Sequence, residues 1–440
     1  MAKHIAVIGL GKSGSAVAKK LKNMGEEVFV SEEKKAEGIE PATLSEMQDL
    51  GIRFELGQHS IGSIKDSKLI VVSPGVHLDI PVLKEAGKLE IPIISEIELA
   101  YRYLKKPIIA VTGTNGKTTT TTLIGEILKT AGKKVAVAGN IGYPLISVDD
   151  TYLDLIVAEI SSYQLEAIEK FKPWISIILN ITPDHLERHK TMEEYAALKG
   201  RIFENQTADD FLIYKSDDYL VKEVVKKARA KLIPFNRGDL SILPCPKEKI
   251  YIKGEHNLEN ALAATYTAKI CGVGEEIIAK VLGEFKGVEH RIEYVATIRE
   301  VIFINDSKAT NPDSTIVALK AVNGKRVTGN GKRIILIAGG RDKGTDLSEL
   351  SRWILKTVKA VILIGEATER FKTAFSKNGF KNIYPVESMA EAVKKSLSLA
   401  SEGDTVLLSP ACASFDMFKN FEERGKVFKE EVNKLSGTSD

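Results

Sequence analysis

A glycine-rich segment between an apolar run and a helical pattern carries the strongest chemical signal in this sequence. The run Ile109–Val111 leads into residues 112–119, which read TGTNGKTT, and a helical pattern begins at Thr118. Such a loop can surround ATP phosphates with backbone N–H groups, place the Lys117 ammonium group on the terminal phosphate and offer the Thr118 hydroxyl group to Mg²⁺. Val111 stands where the general phosphate-loop pattern has its first glycine. The segment predicts an ATP site with a variant loop; the alternative is a glycine turn that binds nothing.

A second glycine turn follows the apolar run Ile5–Ile8 near the N-terminus. Residues Gly9–Gly14 read GLGKSG and open a helical pattern, so their backbone N–H groups can approach a diphosphate at the positive end of a helix. Glu32 and Glu33 follow the next apolar run, at about the offset of a ribose-binding acid. The pattern indicates a dinucleotide or the diphosphate of a nucleotide-sugar, and a tight turn without a ligand remains open as well.

A carboxylate and two histidines follow further apolar runs. Glu159 ends the run Leu155–Ala158, and because open α/β sheets bind ligands at the carboxyl ends of their strands, we interpret it as a Mg²⁺ ligand. His185 and His189 have i, i+4 spacing, but the segment HLERH matches neither HExxH nor HxxEH and shows no third ligand, which disfavours a zinc protease. His185 could reach a phosphate or Mg²⁺, or it could be a purely structural imidazole.

These residues need strands and helices that bring them together, and the apolar pattern supplies such elements along the whole chain. Short, continuously apolar runs alternate with helical stretches such as Thr118–Thr130, Asn257–Cys271 and Ala390–Ala400. Continuous apolarity is typical of strands buried on both faces, and alternating β and α units indicate doubly wound α/β domains with mostly parallel sheets. The runs are Ile5–Ile8, Val28–Val30, Leu69–Val72, Ile108–Val111, Val135–Ala138, Leu155–Ala158, Ile175–Leu179, Ile334–Ile337, Val361–Ile364 and Val406–Leu408.

Two breaks in this pattern suggest domain boundaries. Pro92 follows the apolar runs of the first block, and a helix-like stretch, Ser95–Tyr103, then leads into a new strand. The second break lies near Gly287–Glu293, before a strand region at Tyr294–Ile304. The Pro- and Lys-rich stretch Pro234–Lys253 predicts irregular structure or small strands inside the middle block. At ~150 residues per domain, a chain of 440 residues suggests about three domains or two large ones.

The overall composition limits the class of protein. The chain has 62 basic and 59 acidic side chains and a formal charge of +3, so no strong field favours nucleic acid or an anionic membrane. Cys245, Cys271 and Cys412 lie far apart without a CxxC pair, which disfavours a disulfide framework or a zinc site. No apolar run approaches the ~20 residues that span a bilayer, and no signal-peptide pattern opens the sequence. We expect a soluble cytoplasmic protein.

Taken together, the motifs resemble those of the Mur ligase family, the ATP-dependent amide-forming enzymes of peptidoglycan assembly. The resemblance covers essentially the whole chain, in order and at plausible spacing. Within the family, the last two blocks are similar to those of the members that add D-glutamate. The blocks are Gly113–Thr119 (GTNGKTT), Glu159–Leu165 (EISSYQL), Asn180–His189 (NITPDHLERH), His256–Ala261 (HNLENA), His290–Glu293 (HRIE), Asn305–Asn311 (NDSKATN) and Ser409–Asp416 (SPACASFD).

The resemblance implies a three-domain α/β protein: residues 1–95 for a UDP-sugar, 96–292 for ATP and 293–440 for the incoming amino acid. The implied reaction joins D-glutamate to UDP-N-acetylmuramoyl-L-alanine through an acyl phosphate and releases ADP and phosphate, as a step of cell-wall precursor synthesis and so of cell shape and division. ATP and two Mg²⁺ ions are the implied cofactors. We expect a monomer that acts on small molecules, without nucleic acid or membrane, and whose C-terminal domain closes over the central one.

The implied site residues fall on the matching motif positions. Lys117 and Thr118 would hold ATP phosphates and Mg²⁺, Glu159 and His185 would ligate Mg²⁺, and Lys199 matches a lysine that the family carbamylates to hold a second Mg²⁺. The implied catalytic groups are Lys117, His185, Lys199 and Lys308. The implied nucleotide contacts are Gly113, Thr114, Asn115, Gly116, Lys117, Thr118, Thr119, Asn257, Asn260, Arg291 and Asp306. The implied contacts of the other substrates are Gly11, Lys12, Ser13, Ser73, Gly75, Asn140, Ser161, Thr310, Lys343, Ser414 and Phe421.

Some positions depart from the family pattern or allow a plainer interpretation. Ser31–Glu33 (SEE) stands where relatives carry an Asp-Thr-Arg-like stretch, and Gly339–Gly344 departs from the glycine-rich form of some relatives. Without the resemblance, Lys199 would be a solvated helix lysine and Phe421 a core residue. The two asparagines of the HNLENA block would be a helix cap and a surface residue.

Three other functions remain as alternatives. A sister ligase could add another amino acid or extend folate with glutamate, although the Gly9–Gly14 turn argues against the folate enzyme and Asp306–Asn311 against the members that add L-alanine or diaminopimelate. A regulatory nucleotide-binding protein with a degenerate site is disfavoured by the intact motif residues Lys117, Thr118, Glu159 and His185. A nicotinamide dehydrogenase would leave the phosphate loop unexplained.

Overall fold

The computed structural model describes residues 4–183, 186–252, 254–323, 333–342 and 344–436. The chain forms two compact units, Met1–Phe285 and Lys286–Asp440. The first unit contains a five-stranded and a six-stranded sheet, and the second contains a six-stranded sheet. Strands in the described part of the chain pair in parallel, apart from one hairpin in the third sheet. The predicted α/β class with mostly parallel sheets is confirmed.

The first sheet has the strand order β3-β2-β1-β4-β5. All four residues of its central strand are buried, as their continuous apolarity predicts. The carboxyl ends of β1, β2 and β4 meet at one edge, where the Gly9–Gly14 turn leads into the first helix. The strands are β1 Ile5–Ile8, β2 Val28–Glu32, β3 Arg53–Leu56, β4 Leu69–Val72 and β5 Ile93–Ser95, and the helices are α1 Lys12–Asn23, α2 Pro41–Asp49, α3 Ile61–Ile64 and α4 Pro81–Lys88.

The second sheet has the order β11-β10-β9-β6-β8-β7. Its β6 lies between β8 and β9, and all residues of β6 and β8 are buried. The register places Val111 beside Glu159 and Thr112 beside Ile178, so these strands end together. The strands are β6 Ile108–Thr112, β7 Val135–Gly139, β8 Leu155–Glu159, β9 Ile175–Ile178, β10 Phe211–Lys215 and β11 Lys231–Phe235. The helices are α5 Glu96–Tyr103, α6 Lys117–Thr130, α7 Ser162–Leu165, α8 Leu186–His189, α9 Met192–Gly200, α10 Tyr219–Val225, α11 Glu255–Ile270 and α12 Glu275–Glu284.

One apolar core joins the first two sheets. Val7 and Leu21 of the first sheet's layers belong to the same cluster as Ile97 of α5 and Leu145 of the central region. The first two sheets therefore lie in one compact unit, and we keep the division into three domains as a proposal. Within the predicted irregular stretch Pro234–Lys253, the described residues form the end of β11 and two short 3₁₀ turns.

The third sheet has the order β12-β13-β17-β14-β15-β16. The predicted strand region Tyr294–Ile304 is an antiparallel hairpin whose turn residues, Arg299 and Glu300, have φ of +50° and +59°. The strands are β12 Glu293–Ile298, β13 Val301–Asn305, β14 Ile334–Gly339, β15 Val358–Ile364, β16 Ile383–Pro385 and β17 Thr405–Leu408. The helices are α13 Pro312–Asn323, α14 Ser348–Thr357, α15 Thr368–Lys377, α16 Met389–Leu399 and α17 Phe421–Ser436. Across the described residues, no helix is long and apolar enough to cross a membrane.

Candidate active site

The turn after β1 is closely packed and leaves its tip open. Gly9 has φ of +91°, and a Cβ atom built on Gly14 would lie 1.8 Å from the carbonyl oxygen of Gly9. The buried Ser73 Oγ donates to that same carbonyl oxygen over 2.9 Å, so the predicted substrate residue Ser73 holds the turn. Gly11 and Lys12 are exposed at the start of α1, and Ser13 is half-buried. The N–H groups at this tip are therefore available to an anion.

Glu32 is part of the same turn. Its buried carboxylate accepts hydrogen bonds from the N–H of Leu10 over 2.5 Å and from the N–H of Lys34 over 2.9 Å. Glu33 is exposed. The acid at the predicted ribose-binding offset thus contacts the chain's own backbone, and the uridine contacts of this region stay a prediction.

The phosphate loop connects β6 to α6 with its lysine folded inward. Lys117 Nζ donates to the carbonyl oxygens of Gly113 over 2.8 Å and Thr114 over 2.9 Å. Gly116 has φ of +86°, which favours glycine. Asn115 N–H donates to the Asn180 side chain over 2.8 Å, and this bond ties the loop to the end of β9. The loop therefore surrounds the ammonium group of Lys117 with its own carbonyl oxygens.

The first turn of α6 and helix α11 complete the loop's surroundings. Thr118 and Thr119 are buried in that turn. Asn260 Oδ1 accepts from Thr120 Oγ1 over 3.2 Å and would lie 2.3 Å from a Cβ atom on Gly116. Asn260 also donates to Asn257 Oδ1 over 3.2 Å. Asn260 therefore lies against the phosphate loop with Asn257 beside it, and the plainer alternative of a surface residue is wrong for Asn260.

Glu159 and Asn140 lie side by side because β8 pairs with both β6 and β7. Asn140 Nδ2 donates to Glu159 Oε1 over 2.9 Å, and the Glu159 side chain is buried. Gly139, with φ of +103°, allows this approach, since its Cβ atom would lie 2.4 Å from the Glu159 carbonyl oxygen. The structure brings these two predicted residues together at the edge that carries the phosphate loop.

Lys199 on α9 is buried, which no pattern around it in the sequence indicates. Only 1% of its surface is exposed, and Nζ donates to the Gly113 carbonyl oxygen over 3.0 Å and lies 4.4 Å from the centre of the Tyr195 ring. Lys117 and Lys199 therefore share one acceptor. The plainer interpretation as a solvated lysine is wrong.

The segment that follows β9 packs against α7 and α9. His185 and Asp184 lie outside the described residues. His189 lies within hydrogen-bond distance of Ser162, 3.0 Å, and its ring stacks on Tyr195. Among the described residues, no group of three or more His, Cys, Asp or Glu side chains could hold a metal ion. Ser161, a predicted substrate residue, caps α7 together with Gln164.

Arg188 was not predicted as a site residue. Its guanidinium group pairs with both oxygens of Glu166, at 2.9 and 2.6 Å, and donates to the carbonyl oxygens of Gly75 over 3.4 Å and Val76 over 2.8 Å. It thereby holds the loop of the predicted substrate residues Ser73 and Gly75 against the central region. The Arg188 position lies inside the Asn180–His189 motif, which was the only signal for it.

A buried carboxyl group contacts the segment that follows Asn140. Glu96, the first residue of α5, is 1% exposed, and its Oε1 accepts from the N–H of Ile146 over 2.7 Å. Burial raises the pKa of Glu96 to about 7, and the hydrogen bond from Ile146 opposes this rise. Glu96 therefore connects α5 to the Asn140 segment.

In the second unit, Asp306 and Arg291 lie close together. Asp306 is buried and accepts from Ser409 Oγ over 2.7 Å and from the N–H of Ile292 over 3.2 Å. Burial raises the pKa of the Asp306 carboxyl group to about 7, which the Ser409 hydrogen bond and the Arg291 charge oppose. The backbone N–H of the half-buried Lys308 donates to the His290 carbonyl oxygen over 3.0 Å.

Some of the residues predicted to contact the incoming amino acid lie next to Lys308. Lys308 Nζ lies 5.8 Å from the centre of the half-buried Phe421 ring, so the plainer interpretation of Phe421 as core is wrong. Thr310 N–H donates to the Lys308 carbonyl oxygen over 2.9 Å, and Ser414 is buried. Lys343 lies outside the described residues.

Arg424 of α17 joins the two loops that carry these residues. Its buried guanidinium group donates to the Ser307 side chain and carbonyl oxygen over 3.0 and 2.8 Å, and to the carbonyl oxygens of Cys412 and Ala413 over 3.1 and 3.2 Å. Burial lowers the pKa of Arg424 to about 10. Sequence reasoning missed it, because an arginine in an amphipathic helix is usually exposed.

Family models match three stretches of the chain. Residues 3–95 match the Mur ligase MurD-like N-terminal domain, residues 111–242 the Mur ligase middle domain, and residues 290–412 the Mur ligase glutamate ligase domain. The first stretch contains the Gly9–Gly14 turn, and the other two contain motif blocks that carried the resemblance.

Relatives match over nearly the full length. The chain is 46% identical to the UDP-N-acetylmuramoylalanine--D-glutamate ligase of Caldanaerobacter subterraneus subsp. tengcongensis, with 98% of each chain covered. It is 46% identical to the protein of the same name from Thermoanaerobacter sp., again with 98% of each covered. The crystal structure of UDP-N-acetylmuramate-alanine ligase from Thermotoga maritima shares the fold, with a TM-score of 0.57, 21% identity and coverage of 98% of this chain and 100% of that one. The chain belongs to the Mur ligase family.

Proposed function

We propose that this chain is an ATP-dependent ligase that joins D-glutamate to UDP-N-acetylmuramoyl-L-alanine and releases ADP and phosphate, in peptidoglycan precursor synthesis. The observation that carries the reaction class is the convergence of Lys117 and the buried Lys199 on the carbonyl oxygen of Gly113. The end of the strand that carries Glu159 lies beside them. The relatives' shared name supports D-glutamate as the amino acid.

In the proposed mechanism, the substrate carboxylate attacks the γ-phosphorus of ATP, and the resulting acyl phosphate is attacked by the D-glutamate amine. The tetrahedral intermediate then expels phosphate. Lys117 moves from the carbonyl oxygens of Gly113 and Thr114 to the phosphate oxygens, where it neutralises developing charge. Catalysis comes mainly from positioning and electrostatics, since an unassisted carboxylate is a poor electrophile.

Glu159 and Thr118 would hold Mg²⁺ beside the phosphates. Their donors are a carboxylate and a hydroxyl oxygen, which this ion prefers, and Asn140 fixes one carboxylate oxygen in place. When bound, Mg²⁺ neutralises charge on the phosphate oxygens. A second ion would need Lys199 as a carbamate: its neutral amine adds CO₂ and releases a proton, so a cation becomes an anionic oxygen ligand. His185 stays a predicted ligand.

The other predicted residues receive roles by position. The tip Gly11–Ser13, the Ser73–Gly75 loop, Asn140 and Ser161 would contact the UDP-sugar. In the second unit, Arg291 and Asp306 would contact the nucleotide, Lys308 would act near the reacting carboxylate, and Thr310, Lys343, Ser414 and Phe421 would contact D-glutamate. We further propose a monomer that works in the cytoplasm on small molecules alone.

The test measures phosphate release with UDP-N-acetylmuramoyl-L-alanine, ATP and Mg²⁺, adding D-glutamate or L-glutamate in turn. We expect release that depends on the D-isomer and on the nucleotide-sugar, and none from a Lys117→Met variant. Release that is independent of D-glutamate, or equal with the L-isomer, would sink the proposal. Size-exclusion chromatography with light scattering measures the molar mass in solution and so tests whether the protein is a monomer.

The carbamate has a test of its own. Lys199→Ala should lose activity, and short carboxylates at millimolar concentration should restore part of it, because they can supply the missing oxygen ligand. Lys226→Ala, which removes an exposed lysine paired with Glu223, serves as the control and should keep its activity. An unimpaired Lys199→Ala enzyme would remove the carbamate from the mechanism.

A further inference from the structure

A cleft of about 920 Å³ opens at the edge of the second sheet that faces away from the phosphate loop. It is lined by residues that precede the strands: Lys105–Ile108 before and at the start of β6, Asp154 before β8, and Lys170, Lys172 and Trp174 before β9. Since β6 has five residues, its two ends lie about 13 Å apart. The cleft is therefore separate from the candidate active site.

The lining carries an excess of positive charge. Arg102 and five lysines contribute to it, against Asp154 and Asp210. Arg102 is paired with Glu98 and Glu169, and Lys172 with Asp210 over 3.1 Å. Among the described residues, the other four lysines make no side-chain hydrogen bond or ion pair. These four are Lys105, Lys106, Lys133 and Lys170.

The acids that remain do not offset these lysines. Asp154 already accepts the N–H of Lys134 over 2.8 Å, and Asp210 is buried and paired with Lys172. Four ammonium groups around one concave surface attract a ligand with several negative charges more strongly than a monoanion. A phosphate chain fits this arrangement.

One wall of the cleft is aromatic. Trp174 is half-buried, with its ring against the edge of Phe211 at 6.1 Å, and Tyr101 packs in the same way on Phe171 at 5.8 Å. Each of the two rings packs against a phenylalanine ring and lines the cleft. A planar base stacked on such a wall is typically stabilised by about 1–3 kcal/mol. The wall and the lysines together suit a ligand with a ring and a phosphate chain.

We propose that this cleft binds a nucleoside polyphosphate, with its phosphates on Lys105, Lys106, Lys133 and Lys170 and its base against Trp174. The site is distinct from the ATP site of the reaction and does not depend on the proposed ligase activity. Nothing in the proposed mechanism uses these residues.

The test uses Trp174 as its own reporter. The chain has two tryptophans, so Trp353→Phe leaves Trp174 alone, and its fluorescence is titrated with GTP and with inorganic tripolyphosphate. We expect saturable quenching by GTP, and we expect tripolyphosphate to displace GTP while binding several-fold more weakly, because only GTP has a base. Equal affinity would overturn the nucleotide assignment, and the absence of saturable quenching would overturn the site.

Further variants in this background separate binding in the cleft from general charge attraction and from binding at the phosphate loop. Lys106→Glu should weaken binding about tenfold, whereas Lys134→Glu, an exposed lysine near the same edge that does not line the cleft, should leave it within about twofold. Equal losses would mean a general attraction and overturn the site. Lys117→Met should leave the quenching unchanged; its loss in that variant would assign the signal to the phosphate loop and overturn the proposal. Unchanged melting temperatures ensure that the variants are compared as folded proteins.

Discussion

The Gly9–Gly14 turn and the Gly113–Lys117 loop are the same backbone device, a strand that enters a helix through glycines, yet they hold opposite charges. In the first, the buried carboxylate of Glu32 accepts the N–H of Leu10. In the second, the ammonium groups of Lys117 and Lys199 donate to the Gly113 carbonyl oxygen. One turn contains an anion and the other contains cations.

These charges determine which part of each turn can bind a phosphate. At the first turn one N–H is already satisfied, so an incoming diphosphate has to use the exposed tip at Gly11–Ser13. At the second turn, the Lys117 ammonium group donates to carbonyl oxygens. It can turn to phosphate oxygens without a large rearrangement. Glycine spacing alone does not distinguish these cases; the charged side chain beside the turn does.

Removing the two turn lysines in parallel should give the largest difference between the turns. Lys117→Met should lower kcat about 10³-fold, which corresponds to about 4 kcal/mol of lost transition-state stabilisation. Lys12→Met, at the exposed tip of the other turn, should raise KM for the UDP-sugar only a few-fold. Steady-state kinetics on both variants measure this. Similar losses in kcat would mean that the two turns share one role.

Packing at the first turn offers the next largest effect. Gly14→Ala places a Cβ atom 1.8 Å from the Gly9 carbonyl oxygen, so the turn must shift, at a cost of about 3 kcal/mol in the free energy of unfolding. Gly11→Ala is the matched control, because among the described residues no atom beyond its chain neighbours lies within 4 Å of its added Cβ. Urea unfolding of both variants tests this. A fully stable Gly14→Ala would contradict the close packing.

The smallest effect comes from the carboxylate inside the first turn. Glu32→Gln keeps the shape but replaces a charged acceptor, and should cost about 1 kcal/mol of stability. Glu33→Gln, at an exposed position, should cost nothing measurable. KM for the UDP-sugar should change little in either variant. A large rise in KM for Glu32→Gln alone would assign that carboxylate to the substrate instead of the turn.

Much of this arrangement could be predicted from the sequence. Continuous apolar runs predicted the central strands, because strands buried on both faces have no polar positions. Edge strands such as β3, with Arg53 exposed, and β11, with Lys231 exposed, carry no such run and were not singled out. The motif residues after β6 and β8 were predicted to meet, and the strand order brings them to one edge.

The remaining site features depend on tertiary contacts that no local pattern encodes. Lys199 is buried because α9 packs over the phosphate loop, and a lysine in a helix gives no sign of that. Arg188 reaches Gly75, 113 residues earlier in the chain. Arg424 is buried because two distant loops offer it carbonyl oxygens. Each is visible only once the helices are placed.

The burial of Glu96 makes folding of this protein a proton-binding event. With a pKa of about 7 in the native state against 4.5 for the ordinary side chain, the native protein keeps a proton that the unfolded chain releases between these values. The contribution of Glu96 to the free energy of unfolding should therefore fall by about 3 kcal/mol as pH rises from 4.5 to 7, and level off above it. Glu96→Gln should remove this share of the slope in urea titrations run across that range, and the slope that remains should include the share of Asp306, whose pKa is also raised to about 7. The segment that follows Asn140 is thus hydrogen-bonded, through Ile146, to a carboxyl group whose charge changes near neutral pH.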